Sequence, residues 1–218
     1  MKTSSTTNRA FTLLELLTVI AIIGVLAGLL FPAIKNALLR AEVAKAQQAV
    51  NGLATGFKSY YTEYGKWPIA YSGTGPFSYE DFIVDQNLVA LLSGQDPSSS
   101  TYLPTPNPAA WKDSPPGGSY GSSPSATIQG NTRKIVFLEF KKADLDSSGR
   151  FVDPWGKPYH FRLDVNYQNS IYNPFSLQTS TYAVTNGFLI WSVGPDGQYD
   201  ENGDVPPSAL NKDNVKSW

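Results

Sequence analysis

The pattern of apolar and polar positions divides the chain into a long apolar run, an amphipathic stretch and a mixed C-terminal part. Residues 11–34 are almost entirely apolar, and Glu15 is the only charged residue among them. The run is longer than the roughly 20 residues that a helix needs to cross a bilayer. We therefore predict a membrane-spanning helix over residues 11–34.

An amphipathic pattern follows over residues 35–64. Apolar side chains recur there at alternating spacings of four and three residues, which is typical of one helical face. Gly65, followed by Pro68, predicts the end of this helix. Packing on a sheet and a coiled coil both suit such a stripe, and its C-terminal aromatic residues favour the sheet. The stripe consists of Leu39, Val43, Ala46, Val50, Leu53, Phe57, Tyr60 and Tyr64.

Several residues should disturb this long helix. Pro32 lacks an N–H and clashes with the preceding turn, so we expect a kink or local melting there, with Gly24 and Gly28 assisting. Gly52 and Gly56 weaken the second part by about 1 kcal/mol each relative to Ala. Alternatively, these two glycines allow the close approach of a neighbour.

Residues 65–218 are predicted to form a globular head, which together with the helix gives an α+β fold. Within the head, residues 69–131 are rich in Ser, Pro and Gly and are interpreted as a variable loop region, with a short helix possible only at residues 87–93. Four short runs of β-branched and aromatic residues then predict an antiparallel sheet. These runs are residues 135–140, 159–164, 181–184 and 188–193.

Composition narrows the range of functions. The chain is 41% hydrophobic and 16% charged, which permits one globular domain beyond the apolar run. A net charge of −1 argues against a nucleic-acid partner, and the absence of cysteine leaves the head without disulfides. A lone His160 on a predicted strand, without a nucleophile elbow or a phosphate-binding loop, assembles no catalytic set, so we predict that the protein is not an enzyme.

Charges at the start of the apolar run indicate its topology and a special role for one residue. Residues 1–10 carry Lys2 and Arg9 and no acid, which predicts a cytoplasmic leader and an exported head. Glu15 inside hydrocarbon costs about 2.5–3.5 kcal/mol, so this carboxylate should have a partner or a purpose. An ordinary secretory signal is the alternative, although its apolar region is typically only about 7–15 residues long.

The segment Ala10-Phe-Thr-Leu-Leu-Glu15 after a basic leader resembles the processing site of type IV prepilins and type II secretion pseudopilins. The resemblance implies that a prepilin peptidase cleaves between Ala10 and Phe11 and methylates the new amino group of Phe11. This amino group is largely protonated at neutral pH. The resemblance also implies that Glu15 pairs with the N-terminus of a neighbouring subunit, and that the helix loosens ahead of Pro32 in filaments.

Two later motifs resemble the major pseudopilin. Asp153-Pro-Trp-Gly-Lys-Pro-Tyr159 is similar to a family hairpin, and its Pro and Gly suit a type I turn. The segments 192–197 and 211–218 resemble those that close a calcium loop, and hard oxygen donors are what Ca²⁺ prefers. The resemblance implies Asp196 and either Asp213 or Asn214 as ligands, while Asp200, Asn202 and Asp204, which the motif does not assign, either complete the site or occupy a turn.

A rival acidic cluster lies outside those motifs. Asp144-x-Asp146-x-Ser148-Gly149 copies the opening of an EF-hand loop, but Trp155 stands where the final Glu is required. We therefore interpret this segment as a tight turn.

The resemblance implies a pilin fold and a structural role. The chain would be a single-pass protein of the inner (cytoplasmic) membrane with its head in the periplasm, and it would polymerise into the pseudopilus of a type II secretion system. Its partners would be further copies of itself, other pseudopilins, the prepilin peptidase and the inner-membrane assembly platform. A subunit of a type IV or DNA-uptake pilus is one alternative. A membrane-tethered extracytoplasmic binding or enzymatic domain is an alternative of another class.

Overall fold

The computed structural model describes residues 13–71, 81–95, 126–164, 166–175, 183–198 and 211–218. A long helix precedes a set of short antiparallel strands, which confirms the α+β prediction. The helices are α1 (Leu13–Tyr64) and α2 (Gln86–Leu92), and a 3₁₀ turn spans Lys142–Asp144. The strands are β1 (Ile69–Tyr71), β2 (Phe82–Ile83), β3 (Ala126–Ile128), β4 (His160–Leu163), β5 (Ile171–Tyr172), β6 (Ala183–Val184), β7 (Phe188–Ser192) and β8 (Val215–Lys216).

Helix α1 is continuous over 52 residues. It ends where predicted, because the N–H of Gly65 donates to the carbonyl of Tyr61 at 2.8 Å and Gly65 adopts a left-handed φ of +66°. The chain divides into two units, Met1–Glu42 and Val43–Trp218, and α1 contributes residues to both.

The helix also continues across Pro32, so the described helix contains no melted turn between Gly24 and Pro32. A proline removes one backbone hydrogen bond, while the turns on either side keep theirs. Loosening ahead of Pro32 therefore stays a prediction for the assembled filament.

The predicted stripe packs on the sheet only from Ala46 onward. Leu39 and Val43 are 43% and 36% exposed, whereas five later members are 0% exposed and lie in the main core with residues of the sheet. Sheet packing, rather than a coiled coil, is thus confirmed for this part of the helix. The fully buried members are Ala46, Val50, Leu53, Phe57 and Tyr60.

The central sheet has the strand order β2-β4-β7-β8, and every neighbouring pair is antiparallel. Its two middle strands confirm the predictions for residues 159–164 and 188–193. Side chains alternate between the two faces. One face joins α1 in the main core through Phe161, Leu163, Phe188 and Ile190, and the opposite face contributes Leu189 and Trp191 to a second cluster.

The second cluster is covered by β5, β6 and the C-terminus. Phe175 stacks on Trp218 with ring centroids 5.6 Å apart, and it meets Trp191 edge to face at 5.7 Å. The Lys216 ammonium lies 4.2 Å from the centroid of the Phe175 ring. The last residues are therefore anchored on the sheet by aromatic and cation–π contacts.

The predicted strand at residues 135–140 is wrong. The segment forms no ladder, and only Val136 makes an isolated bridge, to Ser93. Its backbone instead hydrogen-bonds to the end of α2: the N–H groups of Phe137 and Leu138 donate to the carbonyl of Leu92 at 2.8 and 3.1 Å. Phe137, Leu138 and Phe140 pack against the main core without a neighbouring strand, while Val136 is exposed.

A buried asparagine, Asn131, lies just before this segment. The Asn131 amide donates to the carbonyls of Leu91 and Ile135, both at 2.8 Å, and its oxygen accepts from the Tyr64 hydroxyl at 2.7 Å. Asn131 thus ties the end of α1 to the end of α2, where the sequence pattern shows only a loop residue.

Short regular elements lie within residues 69–131, the region interpreted above as a variable loop region. Helix α2, which confirms the short helix considered at residues 87–93, is almost fully buried and is capped by Asp85, whose carboxylate accepts from the N–H of Leu88 at 2.9 Å. Strands β1 and β3 pair across the region, and β2 joins the central sheet. The Ser, Pro and Gly content hid these elements because each of them is short.

Two glycines on the buried part of α1 accommodate the chain's own backbone segment. A Cβ at Gly52 or Gly56 would lie 3.5 Å from Leu138, and at Gly56 it would lie 3.7 Å from the carbonyl oxygen of Phe137. Both positions thus face residues 137–138 of the same chain at ordinary contact distance, and a single Cβ would fit at either.

Candidate functional site

An apolar surface covers the first part of α1, which is the only candidate membrane span among the described residues. None of the 18 residues in its most apolar stretch is buried. Apolar area on this scale is stable only when lipid or another protein covers it. The exposed large apolar residues are Leu13, Leu14, Leu16, Leu17, Val19, Ile20, Ile22, Ile23, Val25, Leu26, Leu29, Leu30, Phe31, Ile34, Leu38, Leu39 and Val43.

Glu15 lies in the first turn of the described helix and its side chain is exposed. Its backbone carbonyl accepts a hydrogen bond from the Thr18 hydroxyl at 3.0 Å. A negative charge suits the positive end of the helix dipole. Ala10 and Phe11 lie outside the described residues, so the cleavage site stays a prediction, as does the role of Pro32 in assembly.

The C-terminal loop brings two of the predicted calcium ligands together. The N–H of Asp196 donates to the Asp213 carboxylate at 3.2 Å, and the Asp196 carboxylate accepts from the N–H of Gln198 at 2.8 Å. Gly194 allows this approach, because a Cβ there would lie 2.5 Å from the carbonyl oxygen of Asp213. Asp200, Asn202 and Asp204 lie outside the described residues.

The donor chemistry of this loop suits Ca²⁺, but the described ligands are few. The side-chain oxygen of Asn214 is buried and has no hydrogen-bond partner in the described part of the chain. The same residues contain no cluster of three His, Cys, Asp or Glu side chains. Since Ca²⁺ takes six to eight oxygens, Asp196, Asp213 and Asn214 would supply only part of a site.

A buried carboxylate links the two later motifs. Asp153 opens the 153–159 turn, where its Oδ1 accepts from the N–H groups of Trp155 and Lys157 at 3.0 and 2.8 Å. Its Oδ2 accepts from the Ser192 hydroxyl at 2.6 Å, and that hydroxyl in turn accepts from the N–H of Gly194 at 3.1 Å. Burial raises the pKa of Asp153, although these hydrogen bonds oppose the rise.

The Asp153–Ser192 contact escaped the sequence analysis. The two residues appear in the two motifs, but nothing in either motif indicates that one carboxylate would orient both turns. Gly156 has a φ of +82° and its N–H donates to the Asp153 carbonyl at 3.0 Å, which confirms the predicted turn.

The rival acidic cluster is a tight turn, as predicted. Asp146 accepts from the N–H groups of Ser148 and Arg150, both at 2.9 Å, and pairs with the Arg150 side chain at 2.6 Å. Asp144 pairs with Lys45 of α1 at 2.6 Å. Both carboxylates are therefore engaged by cations of the chain itself.

His160, the lone histidine, is a strand residue. It pairs with Trp191 in the β4–β7 ladder, and the two rings stack with centroids 5.5 Å apart. This arrangement is the packing contact of a strand residue.

These features define a class of protein: an α+β head built on the second part of a long helix whose first part presents an exposed apolar surface. The family described as "Prokaryotic N-terminal methylation motif" matches residues 6–31. The motif covers the predicted cleavage site and Glu15.

Comparison with curated proteins finds pilins. The chain is 41% identical over 64 residues to the type IV major pilin protein PilE1 of Neisseria gonorrhoeae, covering 29% of this chain and 39% of the relative. It is 36% identical over 77 residues to a fimbrial protein of Neisseria meningitidis serogroup A, covering 35% and 45%. A third relative, fimbrial protein EcpC of Eikenella corrodens, is 36% identical over 68 residues, covering 31% and 44%.

The chain thus spans less than half the length of these relatives. No solved structure matches the chain. The methylation motif at residues 6–31 and the pilin relatives show that part of the chain is similar to type IV pilins. The relatives carry the names of structural pilins and not of enzymes.

Proposed function

We propose that this chain is a filament subunit, matured by a prepilin peptidase, that assembles into the pseudopilus of a type II secretion system. The observation that carries the proposal is the contrast within α1. From Ala46 its apolar face is covered by the head, whereas before Val43 a comparable apolar surface is exposed. One helix thus combines a built-in attachment to the head with a surface that requires an external partner.

Glu15 is the reason to prefer a filament subunit over a plain anchor. An anchor gains nothing from a carboxylate within its apolar surface, and the bilayer makes that carboxylate costly. Cleavage between Ala10 and Phe11 would create a cationic amine less than two helical turns away along the chain. Two such charges on adjacent subunits can pair, so that transfer from lipid to filament lowers the cost of both.

This charge pairing defines an assembly mechanism. The bilayer stores the processed subunit by covering its apolar helix surface, while the head remains on the far side of the membrane. During assembly, neighbouring helices replace lipid around residues 13–43 and the Glu15 carboxylate of one subunit meets the Phe11 amine of another. Apolar contact supplies much of the association, and the charge pair favours one axial register over others.

The choice of filament type rests on motifs. The 153–159 turn and the 192–197 segment resemble the major pseudopilin, and Asp153 connects these two segments in the structure. The named relatives are type IV pilins and fimbrial proteins, which favours a second candidate, a subunit of a type IV or DNA-uptake pilus. For either filament type, we propose that the helix is anchored in the inner membrane and that an assembly platform there builds the filament. The head would then lie in the periplasm or at the cell surface.

The decisive test of processing is the mass of the N-terminal peptide from membrane-extracted protein. We expect a chain that begins at methylated Phe11. An intact N-terminus, or a cut beyond residue 33, would contradict maturation by a prepilin peptidase and support a simple anchor or a secretory signal.

Assembly is tested by Glu15→Ala, with Glu42→Ala as a control for loss of an acid from the same helix outside the apolar run. We expect the amount of subunit in sheared, pelleted filaments to fall at least tenfold for Glu15→Ala and to stay at the wild-type level for Glu42→Ala. Equal assembly of both variants would contradict the charge-pairing mechanism. A monomeric protein whose head retains a binding or enzymatic activity would support the membrane-tethered alternative.

The filament type is tested by deleting the gene and comparing the secreted proteome with surface filaments and DNA uptake. A secretion defect without loss of surface pili supports the pseudopilus. Loss of pili or of DNA uptake with normal secretion would assign the chain to the second candidate.

We further propose that the C-terminal loop binds Ca²⁺ through Asp196 and Asp213, with Asn214 and the 200–204 segment as additional oxygen donors. Binding would stabilise the head by about 2.7 kcal/mol at a Ca²⁺ concentration one hundred times the dissociation constant. Thermal unfolding with and without chelator measures this shift. We expect Asp213→Ala to abolish it and Asp146→Ala, in the rival cluster, to retain it; an unchanged midpoint in wild type contradicts the site.

A further inference from the structure

Asparagine is followed by glycine three times in the chain, at residues 51–52, 186–187 and 202–203. Such a pair is prone to deamidation, because glycine has no side chain to hinder attack of its backbone nitrogen on the asparagine side chain. The local structure decides whether the two reacting groups can meet. The pair 202–203 lies outside the described residues, so the structure compares Asn51 with Asn186.

Asn186 lies in the short loop between β6 and β7, and its side chain bends back onto the next peptide group. The N–H of Gly187 donates to Oδ1 of Asn186 at 2.9 Å. The side-chain carbon Cγ is bonded to that oxygen at about 1.2 Å, so it lies within about 4 Å of the Gly187 nitrogen. Among the described residues, this N–H donates to no backbone carbonyl. Attack of the nitrogen on Cγ therefore breaks no backbone hydrogen bond of the described sheet.

Asn51 has the same following residue in a different setting. It lies within α1, where the N–H of Gly52 belongs to the hydrogen-bonded helical backbone. Its Oδ1 accepts from the Gln47 side chain at 3.3 Å, and its backbone carbonyl accepts from the Thr55 hydroxyl at 2.9 Å. Attack on the Asn51 side chain would thus require part of the helix to unfold first.

Packing requires glycine at residue 187. A Cβ there would lie 2.6 Å from the Trp67 ring. The indole is held in place, because its N–H donates to the Asp164 carbonyl at 2.9 Å. Its ring also lies 4.5 Å from that of Tyr61, which in turn lies 6.2 Å from that of Tyr167, centroid to centroid. A larger residue that would slow the reaction therefore does not fit after the asparagine.

We propose that Asn186 is a site of spontaneous deamidation in the folded head and that Asn51 is protected from it. The Gly187 nitrogen attacks Cγ of Asn186, and the amide leaves as ammonia with the proton of that nitrogen, so that a succinimide ring forms. Water then opens the ring at one of its two C–N bonds, which gives aspartate or isoaspartate. The modification goes beyond the proposed role as a filament subunit, and water is its only co-reactant.

Both products alter the backbone or the charge where β7 begins. Each adds a carboxylate, which is ionised at neutral pH. Isoaspartate also inserts one carbon atom into the backbone between residues 186 and 187. The carbonyl of Gly187 accepts from the N–H of Asp164 at 2.9 Å, and Gly187 lies against Trp67, so the longer backbone should disturb both contacts. The head would thus change slowly with the age of the subunit.

The test incubates the full chain in mild detergent at mildly alkaline pH, with a parallel sample unfolded in urea. Chymotrypsin, which cuts after aromatic residues, releases residues 183–188 with Asn186 as their only asparagine. The mass of this peptide measures the conversion of amide to acid, and synthetic standards identify isoaspartate by elution time. Fragmentation of the peptide 32–57 from the same digest locates any change at Asn51.

In urea the two asparagines should react at rates within about threefold of each other, because neither has a fixed environment there. In the folded chain we expect Asn186 to react at least about tenfold faster than Asn51. A ratio in the folded chain no larger than the ratio in urea would overturn the proposal. Conversion of Asn186 only in the urea sample would overturn it as well.

Asn186→Gln is the matched control variant, because it keeps the amide but would have to form a larger ring. We expect no mass change in its residues 183–188 and a constant midpoint of urea unfolding during the incubation, whereas the midpoint of the wild type falls as conversion proceeds. An equal fall in both would contradict the proposed effect of deamidation on the head. Glu15→Ala should convert Asn186 at the wild-type rate, so the result does not depend on filament assembly.

Discussion

The two parts of α1 are alike in apolar character and opposite in burial. Between Leu13 and Val43 the large apolar side chains are exposed, whereas between Ala46 and Tyr60 the apolar stripe is 0% exposed. Helix propensity does not distinguish the two parts, since one continuous helix contains both. The difference is the partner: the later part has its own sheet, and the earlier part requires lipid or other subunits.

Glycines mark the same difference. A Cβ added at Gly24 or Gly28 would meet nothing within 4 Å, whereas at Gly52 or Gly56 it would contact Leu138 at 3.5 Å. Glycines on the same helix therefore face open space in the earlier part and packed side chains in the later part. Matched substitutions in the two parts can test this difference directly.

The largest expected effect is the removal of a buried ring. Phe57→Ala deletes a side chain that meets the Phe161 ring at 5.2 Å and the Phe188 ring at 6.0 Å, which should lower the free energy of unfolding by about 3–5 kcal/mol. Urea unfolding of the full chain in mild detergent, followed by tryptophan fluorescence, measures the change. All tryptophans lie beyond residue 65, so they report on the head.

Leu26→Ala is the matched control, because Leu26 is 54% exposed on the earlier part of the same helix. We expect the unfolding of the head to change by less than about 0.5 kcal/mol. A comparable loss of stability in Phe57→Ala and Leu26→Ala would mean that the earlier part of α1 is also packed within the subunit. That result would contradict the difference in burial between the two parts.

A smaller effect is expected from filling glycine positions. Gly56→Leu forces a large side chain against Leu138 and should destabilise the head by about 1–3 kcal/mol, whereas Gly28→Leu should leave its unfolding unchanged. Gly56→Ala places a single carbon at an ordinary contact distance and should stabilise the helix by up to about 1 kcal/mol. Equal behaviour of the Leu variants at residues 28 and 56 would contradict the different packing of the two parts.

The smallest expected effect is a pH dependence of the stability of the head, caused by Asp153 in the 153–159 turn. Burial raises the pKa of Asp153 above 3.8, so its protonated form favours folding. The stability that it contributes is present below 3.8 and is lost as the pH rises through the raised value. Relative to Asp153→Asn, the wild type should therefore be less stable near pH 7 than near pH 4.

Asp146 provides a control of opposite sign. Partial burial acts to raise its pKa, but hydrogen bonds from Arg150 and Ser148 outweigh that effect and hold the pKa below 3.8. Its contribution is present above 3.8 and is lost as the pH falls through the lowered value. Urea unfolding between about pH 3 and pH 7 should give opposite trends for the two Asn variants. The same trend in both would contradict the assigned burial of Asp153.

Sequence reasoning succeeded where the signal was local. The end of α1 was predictable because Gly65 can adopt a left-handed φ, and the two central strands because short runs rich in aromatic and β-branched residues favour strands. The tight turn at Asp146 followed from residues only two and four positions away. In each case the interacting groups are close along the chain.

Sequence reasoning failed where a distant partner decided the outcome. Residues 135–140 have strand composition but no neighbouring strand, because their N–H groups are used by the end of α2. Strands β1 and β3 pair across more than fifty residues, so neither short run is informative alone. The bond between Asp153 and Ser192 similarly joins two turns that the sequence separates by 39 positions.

The amino-acid sequence by itself determined the apolar run, the charge of Glu15 within it, the long helix and its end, and the central strands. These depend on side-chain periodicity and on backbone preferences within a few residues. The tertiary structure alone decided where along α1 burial begins and which segments of strand-like composition form strands. It also decided how Tyr61, Trp67 and Tyr167 come together. Burial depends on which residues, distant in sequence, pack beside a given residue. Local preferences carry no information about those contacts.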